Sequence, residues 1–400
     1  MLPRGAEAFE VLRMPDLVVL ICDYQHGKYP HLLPLLSCRI DPRTFNVDDW
    51  YYVKHMGPEP LRRFDAVFQA GFEIYGYAGL RRLLTQEKKS MRIILSAYAA
   101  FAGNVDLLTY LCDRGLVYPN RFIVDTAALQ GHLDILRCLH ARDLPGFTSR
   151  TMDAAAHNGH LEIVRYLHDT RHEGATRNAM TWAARNGHLE VVRFLHAHRH
   201  EGCGVGAMDW SATYGHLEVV KFLHSHREEG GTNEAIDGAA AHGHLEVVKF
   251  LHAHRRADGI SAQAMNGAAA NGHLDVLMFL HCTTDATCTT SAMDNAAAYG
   301  HLEVVQFLHS HRQEGCTTRA MDDAARYGHL EVVQFLNTHR TEGATTAAID
   351  RAAQNGHLEV VTFLHTHRRE GWTRDAFEYR EVVNPHVNVV SYLNAAVDAI

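Results

Sequence analysis

The chain lacks the features that mark several large classes of protein. Its eight cysteines are scattered over 400 residues without one Cys-x-x-Cys pair, which indicates reduced thiols rather than a disulfide framework. No apolar run approaches the roughly 18 residues that a membrane-spanning helix needs. The short apolar run from Leu17 to Cys22 follows Asp16 and does not fit a signal peptide. We therefore expect a soluble protein of the cytoplasm, with the nucleus left open.

An excess of positive charge is also missing. The formal net charge is −8 at pH 7, with 38 Lys and Arg against 46 Asp and Glu, and no basic stripe occurs. A protein that binds a nucleic-acid duplex needs such a stripe, and anionic membranes attract the same residues. The composition therefore argues against nucleic acid and against a membrane as partners.

Sequence motifs of catalysis are absent too. Neither G-x-G-x-x-G nor G-x-x-x-x-G-K-[ST] occurs. His and Asp are abundant, but they recur in register with a repeat and have no singular Ser or Cys partner. We predict that the chain is not an enzyme and that it needs no cofactor.

The chain does contain an internal repeat. Gly-His-Leu recurs nine times at intervals of 28 residues, with one interval of 29. Weaker copies at Gly103 and Pro385 flank the nine, which gives an array of about eleven units over residues 91–400 and leaves residues 1–90 as a separate region. The glycines of the nine strict copies are Gly131, Gly159, Gly187, Gly215, Gly243, Gly272, Gly300, Gly328 and Gly356.

Each unit has the pattern of two helices. Around Gly187, an Ala-rich first half ends at a glycine that suits the left-handed conformation after a helix. Leu189, Val192 and Leu195 in the second half follow the spacing of a core-facing helix. One such pair cannot bury its own apolar face, whereas a stack of pairs can. We therefore predict an all-α stack of helix pairs.

The recurring segment Ala-Ala-x-x-Gly-His-Leu-Glu-Val-Val-x-Phe-Leu resembles the paired helices of ankyrin repeats over roughly residues 90 to 400. Ankyrin repeats usually span about 33 residues, so the shorter period implies stubby or absent β-hairpin fingers. The resemblance implies an ankyrin-type helix-turn-helix repeat solenoid with truncated hairpin fingers. It also implies a scaffold for protein–protein interaction, which we expect to be monomeric.

The 31 histidines pose the question of metal binding. We interpret the His after each repeat glycine as an imidazole that hydrogen-bonds nearby backbone and caps the second helix; a metal ladder or a pH sensor is the alternative. His-x-His pairs such as His196 and His198 point about 200° apart on a helix, so the sequence predicts no metal site. Protonation of the histidines predicts weaker stability below about pH 6.

Some positions vary while the rest of the template stays constant. They lie five residues before each repeat glycine and in the two positions directly before it, so packing does not dictate them. Because Trp, Tyr and Arg are typical of interface hot spots, we predict a partner-binding surface on the concave face formed by the first helices. The alternative is that Trp182 and Trp210 pack on each other as surface filler. The predicted partner-binding residues are Trp182, Arg185, Trp210, Tyr214, Asn295, Tyr299, Asp323, Arg326, Tyr327 and Arg351.

Residues 1–90 follow no 28-residue register and are richer in aromatic residues and Pro. The segment from Met14 to Cys22 resembles the opening of an F-box helix, which implies a substrate-recognition adaptor of a ubiquitin ligase. The competing interpretation is a helical cap on the first repeat, with residues 60–85 as a degenerate helix pair. A passive scaffold that binds a protein partner is the main functional prediction, and the adaptor is the alternative.

Overall fold

The computed structural model describes residues 90–254, 260–284, 286–377 and 385–398, together with thirteen helical residues between 61 and 84. From residue 90 onwards, the described residues contain 21 α-helices, one 3-10 helix and no strand. The predicted fold class, an all-α helix-turn-helix repeat solenoid, is therefore confirmed. The chain divides into two compact units, which we call unit 1 (Met1–Ala183 with Glu190–Gly202) and unit 2 (Ala184–Leu189 with Cys203–Ile400).

Twenty of the helices form ten pairs, each with a first and a second helix. The first helices are α1 (Ser90–Ala102), α3 (Arg121–Gln130), α5 (Ser149–His157), α7 (Arg177–Arg185), α9 (Gly206–Thr213), α11 (Asn233–Ala241), α13 (Ala262–Ala270), α15 (Thr290–Ala298), α17 (Thr318–Arg326) and α19 (Thr346–Gln354). The second helices are α2 (Val105–Asp113), α4 (Leu133–Ala141), α6 (Leu161–Thr170), α8 (Leu189–His198), α10 (Leu217–His226), α12 (Leu245–His254), α14 (Leu274–Thr283), α16 (Leu302–His311), α18 (Leu330–His339) and α20 (Leu358–His367). The 3-10 helix Arg374–Phe377 and helix α21 (Pro385–Asp398) follow.

The second helices bury a set of residues that differs by one position from the set that the sequence predicts. In α10, Val219, Val220 and Leu223 are buried, whereas Leu217 at the helix start is only half-buried. Glu218 in the first turn is exposed, and its negative charge interacts favourably with the helix dipole. Its Oε1 also lies 2.7 Å from Lys221 Nζ. Two consecutive aliphatic residues and the leucine three positions later, most often Val-Val and Leu, therefore form the buried face of the second helices.

The first helices of neighbouring repeats in unit 2 contact each other more extensively than the second helices do. Small residues allow this close approach. A Cβ atom at Gly238 would lie 2.1 Å from Thr213 Oγ1, and one at Gly267 would lie 2.8 Å from the Cβ of Ala241. Side chains at these two positions would therefore push the first helices apart.

Eight of the nine histidines that follow a repeat glycine join their repeat to the preceding one. The imidazole Nε2 donates a hydrogen bond to a backbone carbonyl oxygen of the preceding repeat. The distance is 2.9 Å from His132 Nε2 to the Phe101 oxygen and 3.0 Å from His160 Nε2 to the Leu129 oxygen. The ring also covers the glycine of the preceding repeat, so that a Cβ on Gly215 (φ 80°) would lie 2.6 Å from the His244 ring. Glycine is therefore required twice, by the left-handed turn and by this contact.

The expectation that these histidines cap their own helices is wrong. Where the capping geometry is described, the side chain of the histidine before the second helix makes no capping hydrogen bond. The histidines that join consecutive repeats are His132, His160, His216, His244, His273, His301, His329 and His357. The backbone hydrogen bond that the sequence predicts does form, but with the previous repeat. The imidazole thus stabilises stacking rather than a helix start.

A buried aspartate in five of the first helices makes a second contact between repeats. Asp209 accepts hydrogen bonds from the Thr232 backbone N at 2.7 Å and from the Thr232 hydroxyl at 3.0 Å. Since the acceptor is a buried carboxylate, the pair contributes on the order of 1.5–3 kcal/mol per hydrogen bond. The same arrangement recurs as Asp153–Thr176, Asp294–Thr317, Asp322–Thr345 and Asp350–Thr373, and with an amide as Asn266–Thr289.

The loops after six of the second helices contain an Arg–Glu clamp. In one of them, the Arg227 guanidinium pairs with Glu229, and the same carboxylate accepts from the Cys203 backbone N of the preceding loop at 3.2 Å. This Arg-x-Glu pair occupies the place that longer repeats give to a hairpin finger. Further clamps are Arg171–Glu173, Arg199–Glu201, Arg312–Glu314, Arg340–Glu342 and Arg368–Glu370.

Candidate partner-binding surface

Three of the predicted partner-binding residues form one cluster in unit 2, which we call the Arg185 cluster (Arg185, Trp210 and Tyr214). Arg185 Nη2 donates a hydrogen bond to the Tyr214 hydroxyl at 2.9 Å. Its guanidinium carbon lies 5.3 Å from the Trp210 ring centre and 5.2 Å from that of Tyr214. Trp210 is 39% exposed and Tyr214 is 45% exposed. The arginine therefore holds two solvent-exposed rings in place through cation–π contacts.

A second cluster combines Tyr299, Arg326 and Tyr327, and we call it the Arg326 cluster. The two tyrosine rings stack with centres 6.5 Å apart and an angle of 16° between planes. The Arg326 guanidinium carbon lies 5.1 Å from the Tyr327 ring centre. Tyr299 is 62% exposed and Tyr327 is 49% exposed. The second cluster thus repeats the combination of one arginine with two exposed rings.

The predicted partner-binding residues Asp323 and Arg351 belong to an ion-pair network. Asp323 Oδ1 accepts a hydrogen bond from Arg351 Nη1 at 3.0 Å, and its other oxygen lies 3.7 Å from Arg319 Nε. Two arginines therefore compensate the Asp323 carboxylate before any partner binds. Asn295, one repeat earlier at the equivalent position, is half-buried.

Trp182 lies in unit 1, on α7. Its ring is half-buried and meets the His157 ring edge-on, with centres 5.9 Å apart. The suggested packing of Trp182 against Trp210 stays a prediction. Trp182 consequently differs from Trp210, which is exposed and belongs to the Arg185 cluster.

The structure also exposes an apolar side chain that the sequence analysis missed. Met278 on α14 is 47% exposed. The equivalent position of other second helices carries Arg193, Lys221 and Lys249, so the replacement of a cation by a methionine was the available signal. It lies on a second helix and so belongs to neither cluster.

A family model described as ankyrin repeats (3 copies) matches residues 125–209, 151–233 and 265–347. The chain is an ankyrin repeat protein. Ankyrin repeats are protein–protein interaction modules and are generally not enzymes. No curated protein matches the chain. The three matches cover both the Arg185 cluster and the Arg326 cluster, at least in part, so that these residues belong to repeats that the family model recognises.

The departure of this ankyrin array from the usual opening has a structural explanation. The family's Thr-Pro-Leu-His opening is replaced by x-Ala-Met-Asp or a near variant, for example at Asp209. The carboxylate at this position bonds to the threonine that begins the next first helix, as with Thr232. The substituted residue therefore still connects consecutive ankyrin repeats.

The His-x-His pairs of the ankyrin second helices pack against phenylalanine. His226 bonds through Nδ1 to the Phe222 carbonyl at 2.9 Å and stacks on its ring at 4.3 Å. His224 meets Phe250 of the next repeat edge-on at 5.6 Å, and the His254 ring at 5.1 Å. Among the described residues, no three His, Cys, Asp or Glu side chains lie close enough to hold a metal ion.

Burial affects the histidines that join the repeats. Desolvation lowers the pKa of His216, His244 and His329 below the usual value of 6.5. In each case a hydrogen bond to the backbone of the preceding repeat opposes that effect and is the weaker influence. These imidazoles are therefore held in their neutral form in the folded ankyrin array.

The N-terminal region contributes an aromatic contact to the first described helix. Phe64 and Phe68 pack on Tyr98 of α1, with ring centres 5.2 Å and 4.8 Å from its own. The Tyr98 hydroxyl donates a hydrogen bond to Asp65 at 2.5 Å. The F-box-like segment from Met14 to Cys22 lies outside the described residues. Within the described residues, no helix is long and apolar enough to cross a membrane.

Proposed function

We propose that this ankyrin array is a passive scaffold, and that the Arg185 cluster and the Arg326 cluster bind its protein partner on the concave face of the first helices. The observation that carries the proposal is the exposure of Trp210 and Tyr214 in a fixed arrangement around Arg185. Rings that are both exposed and already ordered lose little entropy on binding, and Trp, Tyr and Arg dominate interface hot spots.

The packing of the repeats supports this choice of surface. Contacts that hold neighbouring repeats together use the histidine, the buried aspartate and the Arg–Glu clamp, and none of these is Trp210 or Tyr214. Since these exposed rings take no part in the contacts that hold the repeats together, we infer that they contact another protein. The expected monomeric state and cytoplasmic location belong to the same proposal.

The N-terminal region is proposed to cap the array rather than to recruit a ligase. The contacts of Phe64 and Phe68 with Tyr98 support this, because they place aromatic side chains of the N-terminal region against the first helix of the array. The adaptor alternative depends on the segment from Met14 to Cys22, which lies outside the described residues.

The test is affinity capture from a cell extract with the full chain and a Trp210→Ala/Tyr214→Ala variant, read by quantitative mass spectrometry. We expect the variant to bind the main partner at least about 30-fold more weakly, equivalent to about 2 kcal/mol. The control is Lys221→Ala on a second helix, which should retain the partner. Melting curves of all variants verify that they are folded.

Two results would count against the proposal. Retention of the partner by the Trp210→Ala/Tyr214→Ala variant would exclude the Arg185 cluster as the binding surface. Loss of the partner in the Lys221→Ala control would move the binding surface to the second helices. Capture of ubiquitin-ligase components by the full chain would favour the adaptor alternative over a passive scaffold.

A further inference from the structure

The guanidinium of Arg185 is positioned by neutral groups rather than by a carboxylate. The Tyr214 hydroxyl accepts one of its hydrogen bonds, and the Trp210 and Tyr214 rings lie beside it. Among the described residues, no carboxylate oxygen lies within 4.0 Å of this guanidinium. Since arginine carries five N–H donors, the side chain is fixed in place and still retains donors for a ligand.

Arg326 repeats this arrangement at the equivalent position of another repeat. It lies beside Tyr327, whose ring stacks on Tyr299, and the described residues again place no carboxylate within 4.0 Å. Arg351 provides the contrast, because it is already paired with Asp323 at 3.0 Å. Arg185 and Arg326 thus remain as cations without a carboxylate partner in the two aromatic clusters.

The two repeats between the clusters have small residues at two of the three corresponding positions. The third position, directly before the repeat glycine, carries His242 and Asn271, whose side chains bond back to the carbonyls of Gly238 and Gly267 at 2.9 Å and 3.1 Å. Gly238 and Gly267 lie five residues before their repeat glycines, and Ala241 and Ala270 lie two residues before them. No side chain longer than a methyl group stands there, so a bound chain can approach the first helices closely. Five repeats at roughly 10 Å per packed helix separate the arginines by about 50 Å. An extended peptide covers that distance with about 15 residues.

We infer that the partner of this surface is an extended acidic peptide segment, whose carboxylates bind Arg185 and Arg326 while its apolar side chains pack on the neighbouring rings. This inference rests on the proposed function, because it specifies the chemistry of the partner for the same surface. A carboxylate matches the single guanidinium of each cluster in charge and in its two-oxygen geometry. A phosphate dianion would leave one negative charge uncompensated at each arginine.

The experiment selects binders from a peptide library that is not biased toward acidic, neutral or basic sequences. A phage-displayed library of random peptides of about 20 residues, long enough to span both arginines, is selected on the full-length protein near physiological salt. We expect enrichment of peptides with Asp or Glu near both ends and aromatic or aliphatic residues beside them. The enriched peptides are then synthesised and titrated against Arg185→Gln, Arg326→Gln and the double variant.

Each single substitution should weaken the acidic peptides by about tenfold, and the double variant by more. Lys221→Gln is the matched control, because it removes a cation that is paired with Glu218 on a second helix. Arg185→Lys keeps the charge but not the planar guanidinium, and it should restore only part of the affinity. Unchanged melting curves verify that the variants are folded.

Three outcomes would overturn the inference. Enriched peptides that are neutral or basic would contradict the acidic chemistry while leaving the proposed surface intact. Acidic peptides that bind the Arg185→Gln/Arg326→Gln variant as tightly as the original chain would place the ligand elsewhere. A library that yields no enriched peptide would contradict the inference that the ligand is an extended segment. The capture experiment with the Trp210→Ala/Tyr214→Ala variant tests the proposed function independently.

Discussion

Gly215→Ala and His244→Ala should affect stability in a coupled way, because the two residues occupy adjoining space in consecutive repeats. Gly215 has φ 80°, where an alanine is strained by roughly 1–2 kcal/mol whatever surrounds it. Its new Cβ would also lie 2.6 Å from the His244 ring, closer than carbon atoms can approach. The ring would have to move and weaken its hydrogen bond to the Thr213 backbone.

The structure sets the size of that coupling. Displacement of the ring costs about 1–3 kcal/mol of overpacking and about 1 kcal/mol of hydrogen bonding. Gly215→Ala alone should therefore cost about 3–6 kcal/mol, the sum of strain, overpacking and the weakened hydrogen bond. In a chain that already carries His244→Ala, the same substitution should cost only the strain of about 1–2 kcal/mol. The predicted interaction energy is thus about 2–4 kcal/mol, with the double variant more stable than additivity allows.

The assay is urea unfolding of the four proteins of the cycle, followed by far-ultraviolet circular dichroism. Gly230→Ala is the matched control, since Gly230 has φ 64° and a Cβ there would meet no atom within 4 Å. Its cost should be strain alone and should not depend on residue 244. Costs of Gly215→Ala and His244→Ala that add within about 0.5 kcal/mol would refute the contact between ring and glycine.

Three further predictions concern titration and reactivity. Hydrogen bonding from Arg227 lowers the pKa of Glu229 to about 2, so the stability that this carboxylate contributes is complete above pH 4.5 and is lost as the pH falls through the folded-state pKa. Glu229→Gln should therefore flatten the acid side of a plot of melting temperature against pH. An unchanged plot would contradict the clamp. Desolvation lowers the pKa of His216 and His329 in the folded protein. Because the unfolded chain then binds protons more readily, the stability of the fold should decrease as the pH falls below 6.5. Nuclear magnetic resonance titration should give both pKa values below 6.5, and higher values would refute this. Burial raises the pKa of the Cys203 thiol to about 11, whereas Cys282 is exposed; a thiol reagent at neutral pH should modify Cys282 first, and equal rates would show that Cys203 is accessible.

Much of the fold was predictable because its signals are local. The 28-residue period, the glycine after each first helix and the apolar spacing of the second helix all lie within one repeat. Contacts between repeats were predicted less well. His244 and Gly215 are 29 positions apart in the sequence, and Asp209 and Thr232 are 23 apart, so neither pair follows from helical periodicity. Only the stacking of the repeats brings them together.

The candidate surface was predictable in its residue types but not in its geometry. Variation against a strict template identifies positions that packing leaves free, such as Trp210 and Tyr299, and both are exposed. The sequence could not show that Arg185 bonds to Tyr214, because they lie 29 positions apart. It also could not separate Asp323, which is already paired with Arg351, from residues that remain available to a partner.

The division between constant and variable positions has a consequence for how this array can acquire new partners. Asp209 and Trp210 are neighbours in one helix, yet the first is buried and bonded to the next repeat, whereas the second is exposed. A substitution at Asp209 removes the buried acceptor of the Thr232 hydroxyl and amide, while a substitution at Trp210 changes mainly the surface. Because stacking depends mainly on the constant residues, the variable ones can differ from repeat to repeat, except that positions packed against the preceding first helix, such as Gly238, stay small. The same template can therefore present aromatic rings at Trp210, a close contact between first helices at Gly238 and an ion pair at Asp323.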